Sequence, residues 1–407
     1  MRKLATSKFL ISLALVSIFS MNAFGCTMFK ITKNGRTIVG NNEDWSNPHT
    51  RIWFEAGNEA EFGVAYVGFD DLNPQGAFNE AGLAYDIFAM PDKKIIEAKE
   101  KEAQPDDLLK TIMKTSSTVE EVKAKLEIYS LKGFSKVMLL FVDKSGRYLI
   151  QEYDEFTIGE QAQYVLSNFS PSKITDHSKV ELPHFQKGRS LLGQKPNLDP
   201  GYCATVLDAL HQEVPYWGGT QYSTLYNLHD GTINLYYFHD YSRSVQFDLE
   251  EELAKGNHVL NIPDMFPEIE SGHEYMANYD EYAKNLFLLE KSSTFSDPKV
   301  LSKVVEKIQF GPPKKMIYAH YYRIETIGKE WLAKNDYRNA ISVFSINADV
   351  FDWVASPFRH LAHAYMLDSQ YEMAIENYSK VLEINPGDEN AKAQLQEIAT
   401  IKSKLSK

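Results

Sequence analysis

Cysteine is scarce in this chain: its 407 residues include only two, Cys26 and Cys203. A chain with so few cysteines does not depend on a disulfide framework for stability, even when it is secreted. A single Cys26–Cys203 disulfide stays open as an alternative, but that bond would block the Cys26 thiol. Cys203 lies in a segment, Gly201–Leu207, that predicts the start of a helix, so we expect it to be a buried structural thiol.

Basic runs and several common catalytic motifs are also missing. The formal net charge is −12 at pH 7 and no lysine- or arginine-rich run is present, which argues against nucleic acid or an anionic membrane surface as a partner. The sequence has no Gly-x-Ser-x-Gly elbow, no His-Glu-x-x-His and no phosphate-binding loop. The 11 histidines lack the spacing of metal ligands. We therefore predict no cofactor and no metal.

Long apolar runs are absent except near the N-terminus, where the mainly apolar run Phe9–Phe19 follows three basic residues. This run is too short to span a bilayer as a helix, so we predict no membrane span. Ala23 and Gly25 are the small residues that a signal peptidase requires at positions −3 and −1. The pattern predicts a signal peptide over residues 1–25, Cys26 as the first mature residue, and a secreted or periplasmic location.

An N-terminal cysteine carries a free α-amine beside its thiol. The amine, whose unperturbed pKa is near ~8, can take the thiol proton, so that one residue supplies both nucleophile and base. Two alternatives stay open. Cysteine after a signal peptide is lipidated in bacterial lipoproteins, although Ala23 and Phe24 match that signal poorly. Cysteine could also stand at this position by chance.

A hairpin is expected to bring a carboxylate back to Cys26. The dipeptide Asn34-Gly35 between two strand-like segments is a strong signal for a two-residue turn. This turn pairs Lys33 with Arg36 and therefore sets Cys26 opposite position 43, give or take one residue. Geometry alone thus predicts that Asp44 lies within reach of Cys26.

Short strands, turns and a few helices alternate from Cys26 to about Phe266. Further hairpins are predicted around Asp143–Gly146 and Asp230-Gly231, and helices over residues 106–114, 118–129 and 202–211. Strand pairs with intervening helices are typical of sheets covered by helices, an α+β arrangement.

The pattern after about Glu268 is helical throughout. Residues recur with a period of 34: Ile327-Gly328, Trp331, Tyr337, Ala340 and Phe344 return as Leu361-Ala362, Tyr365, Tyr371, Ala374 and Tyr378. This is typical of tetratricopeptide repeats, in which small residues let paired helices approach closely. A polar helix predicted over Glu389–Leu405 would cap the array. We assign residues 267–319 to a helical linker and 320–405 to the repeats, which could bind a protein partner or self-associate.

Four motifs of the first domain occur in an order that resembles a known family. They are Cys26-Thr27 at the predicted mature terminus, Gly40–Trp45 after the hairpin, Gly76–Leu83, and Leu166–Asn168. Together they resemble the N-terminal-nucleophile (Ntn) hydrolases of the choloylglycine hydrolase and penicillin V acylase group, which also takes in acid ceramidase-like amidases and other linear-amide C–N hydrolases. The resemblance covers residues 26–266 and implies a four-layer αββα domain, followed here by the all-α repeats.

The resemblance also implies a catalytic site. Amide cleavage needs a nucleophile, a proton shuttle and donors for the developing oxyanion. Cys26 would be the nucleophile, and Asp44 would hold its amine or thiol and keep the ammonium available for the leaving amine. Asn79 would offer its backbone N–H and Asn168 its side-chain amide to the oxyanion. Arg189 would correspond to an arginine that the family carries downstream. Ordinary roles stay open for these residues: a turn aspartate, turn asparagines and a helix-surface arginine.

One position departs from the family pattern. Many members have an arginine between the glycine and the asparagine of a Gly-Arg-Asn-x-Asp motif, and here that position is Asn41. The loss of this cation argues against bile-salt and penicillin specificities. The expected function is hydrolysis of a linear amide bond in a small N-acyl substrate through a thioester on Cys26. The alternatives are an acyltransferase that uses the same site, and a lipid-anchored, inactive scaffold built on the repeats.

Overall fold

The computed structural model describes residues 25–93, 95, 100–214, 218–291 and 318–405. The strands in these ranges are β1 (Thr27–Lys33), β2 (Arg36–Trp45), β3 (Thr50–Glu55), β4 (Val64–Phe69), β5 (Pro74–Asn79), β6 (Ala84–Ala89), β7 (Glu102–Ala103), β8 (Tyr129–Ser130), β9 (Val137–Val142), β10 (Tyr148–Glu152), β11 (Glu155–Gly159), β12 (Gln163–Leu166), β13 (Glu213–Val214), β14 (Gly218–Asn227), β15 (Thr232–Tyr237), β16 (Asp240–Asp248) and β17 (His258–Asn261). The helices are α1 (Leu108–Thr115), α2 (Val119–Leu126), α3 (Pro183–Leu192), α4 (Pro200–Leu210), α5 (Leu249–Ala254), α6 (Glu270–Lys291), α7 (Tyr318–Ala333), α8 (Tyr337–Val350), α9 (Ala355–Leu367), α10 (Tyr371–Ile384) and α11 (Glu389–Leu405).

The first sheet has seven antiparallel strands in the order β12-β1-β2-β14-β15-β16, with β13 paired to β14. In the turn between β1 and β2, Asn34 and Gly35 both have positive φ (53° and 73°), which is the geometry that a two-residue hairpin turn requires. Lys33 pairs with Arg36. The predicted hairpin and its register are therefore confirmed.

The second sheet has eight strands in the order β11-β10-β9-β6-β5-β4-β3-β17. The hairpin predicted at Asp143–Gly146 joins β9 to β10 in this sheet, and the one predicted at Asp230-Gly231 joins β14 to β15 in the first sheet. Both predictions are confirmed. The pairing of β2 with β14 is not made by a hairpin turn, because these strands are far apart in the sequence.

The two sheets pack face to face. The ring of Phe78 on β5 stacks on that of Tyr226 on β14, with centroids 5.2 Å apart, and both lie in one large buried apolar cluster. Helices α1 and α2 cover the outer face of the second sheet, where Ile112 and Val122 are buried in a separate cluster with Tyr85. The apolar core between the two sheets is therefore separate from the core between the second sheet and helices α1 and α2.

Helix α4 covers the outer face of the first sheet, and Gly40 permits its close approach. A Cβ at this position would lie 2.3 Å from the Phe29 ring and 3.1 Å from Leu207 on α4. The side-chain amide of Asn42 donates to the Leu207 carbonyl at 3.0 Å. The fold of this domain is thus mixed α/β, with helices on the outer face of each sheet.

The helix bounds agree with the sequence patterns to within three residues for α1, α2 and α4. Thr118 is the N-cap of α2 and forms a capping box with Glu121, which explains why its start was predictable. The sequence patterns did not predict α3. This helix buries only Phe185, Gly188 and Leu192, too few apolar side chains to give a clear helical period.

Helix α6 lies beyond the domain boundary predicted at Phe266. Residues 270–291 fall in the predicted linker, but the helix packs on the first domain. Gly272 lies against the ring of Tyr237, and the Tyr275 hydroxyl donates to the Ser46 carbonyl at 2.8 Å. Helix α6 therefore packs on the first domain. Of the rest of the predicted linker, residues 292–317 lie outside the described residues and residues 318–319 begin α7.

The C-terminal helices α7 to α11 occupy the region predicted to contain repeats. Gly328 of α7 lies against the ring of Phe344 on α8, where a Cβ would come within 2.3 Å. Ala362, Ala374 and Tyr378 are buried together between α9 and α10. These contacts fit the small-and-aromatic pattern, and the tetratricopeptide arrangement stays a prediction. Within the described ranges, none of the helices has the length and apolar character needed to cross a membrane.

Candidate active site

Cys26 directly precedes β1 and is buried, with 6% of its surface exposed. Thr27 pairs with Asn42, so the register continued by one residue sets Cys26 opposite Glu43. Successive side chains of a strand point to opposite faces. Glu43 therefore shares the face of Cys26, toward the second sheet, and Asp44 points to the other face.

Asp44 lies beside the Gly25–Cys26 peptide bond. The side-chain amide of Gln212 donates both to the Gly25 carbonyl at 2.9 Å and to Asp44 Oδ2 at 2.5 Å. The Thr220 hydroxyl donates to Asp44 Oδ1. Burial raises the pKa of Asp44, and the hydrogen bonds from Thr220 and Gln212 oppose that rise because they favour the carboxylate. A carboxyl group with two hydrogen-bond donors thus lies beside the Gly25–Cys26 peptide bond.

A second carboxyl group faces Glu43 from the opposite sheet. Asp86 is on β6 between Ala84 and Phe88, whose side chains are buried between the sheets, and only 1% of Asp86 is exposed. Burial, and then repulsion by the charge of Asp86, raises the pKa of Glu43. Burial also raises the pKa of Asp86 to about 8. Each of these two buried carboxyl groups therefore disfavours the ionised form of the other.

The Cys26 thiol lies within the field of these carboxyl groups. Burial raises the pKa of Cys26, and the charges of Glu43, Asp86 and Asp44 raise it further, while a hydrogen bond from the Asp44 backbone N–H acts in the opposite direction. Glu43 accepts a hydrogen bond from the thiol, which lowers the pKa of Glu43. A free thiolate is therefore disfavoured here, and the thiol is in contact with a group that can accept its proton.

Asn41 belongs to the same buried group. Its side-chain carbonyl accepts a hydrogen bond from Thr224 at 3.0 Å, and its amide lowers the pKa of Asp86. Within the described residues, well-aligned hydrogen bonds are missing for its amide nitrogen, for both Asp86 oxygens, for Glu43 Oε2 and for the Tyr222 hydroxyl. We call Asn41, Glu43, Asp86 and Tyr222 the acidic cluster.

Asn168 follows β12 and lies directly against Gly25. Its Nδ2 donates to the Ala89 carbonyl at 2.7 Å, which leaves the second N–H of this amide for another acceptor. Its side-chain atoms come so close to the Gly25 Cα that a Cβ there would lie 1.7 Å from them. The structure thus brings together three of the residues selected from the sequence: Cys26, Asp44 and Asn168.

Ala89, at the end of β6, is a site residue that the sequence patterns did not reveal. The neighbouring Met90 N–H donates to the Lys136 carbonyl on the β9 side at 2.7 Å. In an antiparallel pair of strands, residues that hydrogen-bond to the partner strand alternate with residues that do not. Because Met90 bonds to the β9 side, the N–H and the carbonyl of the adjacent Ala89 both point away from β9. The carbonyl accepts the Asn168 amide. The Ala89 N–H is therefore a candidate oxyanion donor that only the strand register identifies.

Asn79, in contrast, is not at the site, and its expected role as an oxyanion donor is corrected. Its backbone N–H already donates to the Leu83 carbonyl at 3.0 Å. Its side-chain amide donates to the carbonyls of Met113 and Ser116 at 2.7 and 2.8 Å, and its Oδ1 accepts the Leu83 N–H at 2.9 Å. The side chain thus lies under α1, on the face of the second sheet opposite to the acidic cluster, where it holds the turn and the helix end.

Arg189 is also absent from the site. It is exposed on α3 and its charge acts on Asp176 and His177. The adjacent Gly188 is buried against Leu210, so the helix turns Arg189 outward. The expectation that Arg189 is a catalytic residue is therefore corrected to a helix-surface position.

Helix α3 reaches the vicinity of the site through His184 instead. Its Nε2 lies 3.2 Å from the Ser167 hydroxyl, which in turn lies 3.2 Å from the Thr27 hydroxyl. Burial lowers the pKa of His184 to about 4. A neutral imidazole therefore supports the start of β1 and the end of β12 by hydrogen bonding.

Cys203 is fully buried in α4, and both cysteines are free thiols. Its expected burial is confirmed, and no Cys26–Cys203 disulfide is present. Among the residues that the structure describes, His, Cys, Asp and Glu form no group of three or more that could hold a metal ion.

Comparison with known proteins gives the following. No protein-family model matches the chain, and no curated protein matches it. The chain is similar to the penicillin V acylase from Agrobacterium tumefaciens, with 17% identity, a TM-score of 0.46, and coverage of 57% of this chain and 90% of that one. It is also similar to a mutant of the conjugated bile acid hydrolase from Clostridium perfringens, with 15% identity, a TM-score of 0.45, and coverage of 58% and 96%. These values are too low to assign a substrate or any residue role.

Proposed function

We propose that the chain is a secreted or periplasmic cysteine amidohydrolase that cleaves the linear carbon–nitrogen amide bond of a small N-acyl substrate. Removal of residues 1–25 makes Cys26 N-terminal. Its sulfur attacks the acyl carbonyl to form a thioester, the amine leaves, and water hydrolyses the thioester.

The observation that carries this proposal is the environment of the Gly25–Cys26 peptide bond. Gln212 joins the Gly25 carbonyl to Asp44, so cleavage of this bond frees an amine beside a carboxylate and on the same residue as a buried thiol. The carboxylate stabilises the ammonium form of that amine, which can then protonate the leaving amine.

Two donors near Gly25 support the acyl-transfer step. The free N–H of the Asn168 amide and the backbone N–H of Ala89 are held together, because Asn168 donates its other N–H to the Ala89 carbonyl. In the proposed mechanism both donate to the oxyanion of the tetrahedral intermediate. Donors that are fixed before the reaction are worth most in such a site.

The charges around the nucleophile narrow the substrate class. Those that raise the pKa of Cys26 all belong to carboxyl groups, and position 41 carries an amide instead of a cation. An acyl group with a negative charge close to the scissile bond would be repelled. We therefore propose substrates that are neutral on the acyl side near the reacting carbonyl.

Mass spectrometry of the mature N-terminus, together with turnover of a panel of N-acyl amides by wild-type protein and Cys26→Ala, tests the proposal. We expect a free N-terminal Cys26 and loss of turnover in Cys26→Ala with an unchanged circular dichroism spectrum. A diacylglyceryl cysteine would support the lipid-anchored scaffold instead. Turnover by Cys26→Ala at the wild-type rate would refute the nucleophile. Adding a competing amine and measuring acyl transfer to it separates a hydrolase from an acyltransferase.

A further inference from the structure

The proposed function leaves one proton without an acceptor. Asp44 accepts hydrogen bonds from Thr220 and Gln212, and Gln212 also donates to the Gly25 carbonyl. A carboxylate this close to the Gly25–Cys26 peptide bond favours the ammonium form of the α-amine that cleavage would free. An ammonium group has no lone pair and cannot take the thiol proton. Since burial and three carboxyl groups disfavour a free thiolate, the proton needs an acceptor in contact with the sulfur.

Glu43 is the group in that position. It is opposite Cys26 when the register of β1 and β2 is continued by one residue beyond the Thr27–Asn42 pair, it accepts a hydrogen bond from the thiol, and its Oε2 has no hydrogen bond among the described residues. Only 3% of Glu43 is exposed, so bulk water does not compete for the proton.

Asp86 determines how strong a base Glu43 is. It faces Glu43 from β6 across the sheet interface, and neither of its oxygens has a well-aligned hydrogen bond within the described residues. A second buried carboxyl group makes the ionised form of Glu43 less favourable and therefore makes Glu43 more basic. A base with a pKa close to the working pH transfers protons most effectively.

We propose that Glu43 is the catalytic proton acceptor for the Cys26 thiol and that Asp86 is the positioning residue that keeps Glu43 basic. This inference rests on the proposed amidohydrolase function. The S–H bond breaks, its proton moves to a Glu43 oxygen, and the sulfur lone pair forms the bond to the acyl carbon.

The later steps then balance. The α-ammonium of Cys26 protonates the nitrogen as the C–N bond breaks, and Glu43 returns its proton to the resulting α-amine. When water attacks the thioester, Glu43 accepts a proton from water and then gives it to the departing sulfur. The enzyme ends with a thiol, an ammonium and an ionised Glu43, as it began.

The other titratable groups that face Glu43 do not account for this chemistry. Tyr222 and Tyr226 face it from β14, and burial raises the pKa of each hydroxyl, so both stay neutral through the working range. Asp44 follows Glu43 on β2 but points to the other face. The Glu43–Asp86 pair and the α-amine are therefore the groups left to carry the proton.

The pH dependence of Cys26 alkylation by iodoacetamide tests the proposal without any substrate. Mass spectrometry of the Cys26 peptide measures the rate, so that Cys203 is not counted, in the chain that begins at Cys26 and in Glu43→Gln, Asp86→Asn and Tyr222→Phe. When the thiol proton is on Glu43, the sulfur is a thiolate, and the fraction of this form stays constant until the pair gains or loses a further proton. The alkylation rate of the wild type should therefore show a plateau near neutral pH, below the pH at which the thiol itself titrates.

Glu43→Gln should lose this plateau and show a single thiol titration. Asp86→Asn should extend the plateau to lower pH, because loss of the neighbouring charge lowers the pKa of Glu43, and should reduce its height, because the base is weaker. Tyr222→Phe, which alters the same cluster without changing its charge, should keep the plateau. With an amide substrate, kcat/KM of Glu43→Gln should fall by about 10²–10⁴.

A plateau that persists in Glu43→Gln would overturn the proposal and identify the α-amine as the acceptor. A plateau unmoved in Asp86→Asn would overturn the part assigned to Asp86, even if Glu43→Gln failed to fold. The failure of the proposed function gives a different result: no amide is hydrolysed by any form, while the alkylation plateau and its loss in Glu43→Gln remain.

Discussion

Replacing Asn79 by alanine should destabilise the protein without removing a catalytic group. The Asn79 side chain donates to the carbonyls of Met113 and Ser116 at the end of α1 and accepts the Leu83 N–H. The last carbonyls of a helix have no partner within it, so the substitution leaves two acceptors and one donor unsatisfied in a fully buried place. At about 1–3 kcal/mol for each buried group left unpaired, with incomplete additivity, the loss should be roughly 3–5 kcal/mol.

Hydrogen exchange followed by mass spectrometry measures this loss where it occurs. A loss of about 3 kcal/mol corresponds to more than roughly 100-fold faster exchange, and we expect it in the peptides that cover β5 and α1. Asn168→Ala is the matched control, because it removes the same chemical group from a partly exposed position with one hydrogen bond. The structural role would be refuted if Asn79→Ala exchanged hydrogen at the wild-type rate and its kcat fell by about 10²–10³-fold, the size expected for loss of an oxyanion donor.

Four further outcomes are expected. Asn168→Ala should lower kcat by about 10²–10³ with little change in melting temperature, since it removes one oxyanion donor; an unchanged kcat would make it a turn residue. Cys26→Ser should retain only traces of turnover in the same amidase assay, because an alcohol is far less acidic than a thiol; a near-wild-type kcat would argue against a thiol nucleophile. Arg189→Ala should leave kcat/KM unchanged, since the side chain is exposed on α3; a large fall would return it to the site. A chain ending after Lys291 should keep its kcat/KM. A chain ending at Phe266 should melt at a lower temperature, because it loses the contacts of α6 to Ser46 and Tyr237; equal melting temperatures of the two chains would support the boundary at Phe266.

The parts of the site that the sequence could predict depend on local signals. The Asn34-Gly35 turn fixes the β1–β2 register by itself, and that register was sufficient to bring the end of β2 beside Cys26. The hairpins at Asp143–Gly146 and Asp230-Gly231 were predictable as hairpins but not in register, because their loops are longer: Val142 pairs with Tyr148, and Asn227 pairs with Thr232. A two-residue turn determines pairing over its whole length, because each later pair follows from the first.

The parts that it could not predict depend on contacts between distant segments. The local sequence around Asn79 does not indicate on which face of the second sheet its side chain lies. The packing of α1 determines that face, because the end of α1 accepts hydrogen bonds from the Asn79 amide. Ala89 has no side-chain chemistry, so its N–H becomes a candidate donor only through the register of β6 and β9. Asp86 is more than forty positions from Glu43 in the sequence, and the two meet because the sheets pack face to face.

Asn41 connects the unusual motif to the proposed mechanism. A cation at this position would lie in the sheet interface near Asp86, where it would favour the ionised forms of Asp86 and Glu43 and so lower the pKa of both. An amide affects the pKa of Asp86 far less than a full positive charge would, and burial keeps that pKa raised, to about 8. A cation at position 41 could stabilise the Cys26 thiolate by its charge. With Asn41, the charges that act on Cys26 are those of carboxyl groups, which disfavour the thiolate. In the mechanism proposed here, an amide at position 41 keeps Glu43 basic enough to remove the proton directly, so Asn41 and the buried carboxyl pair are two parts of one arrangement.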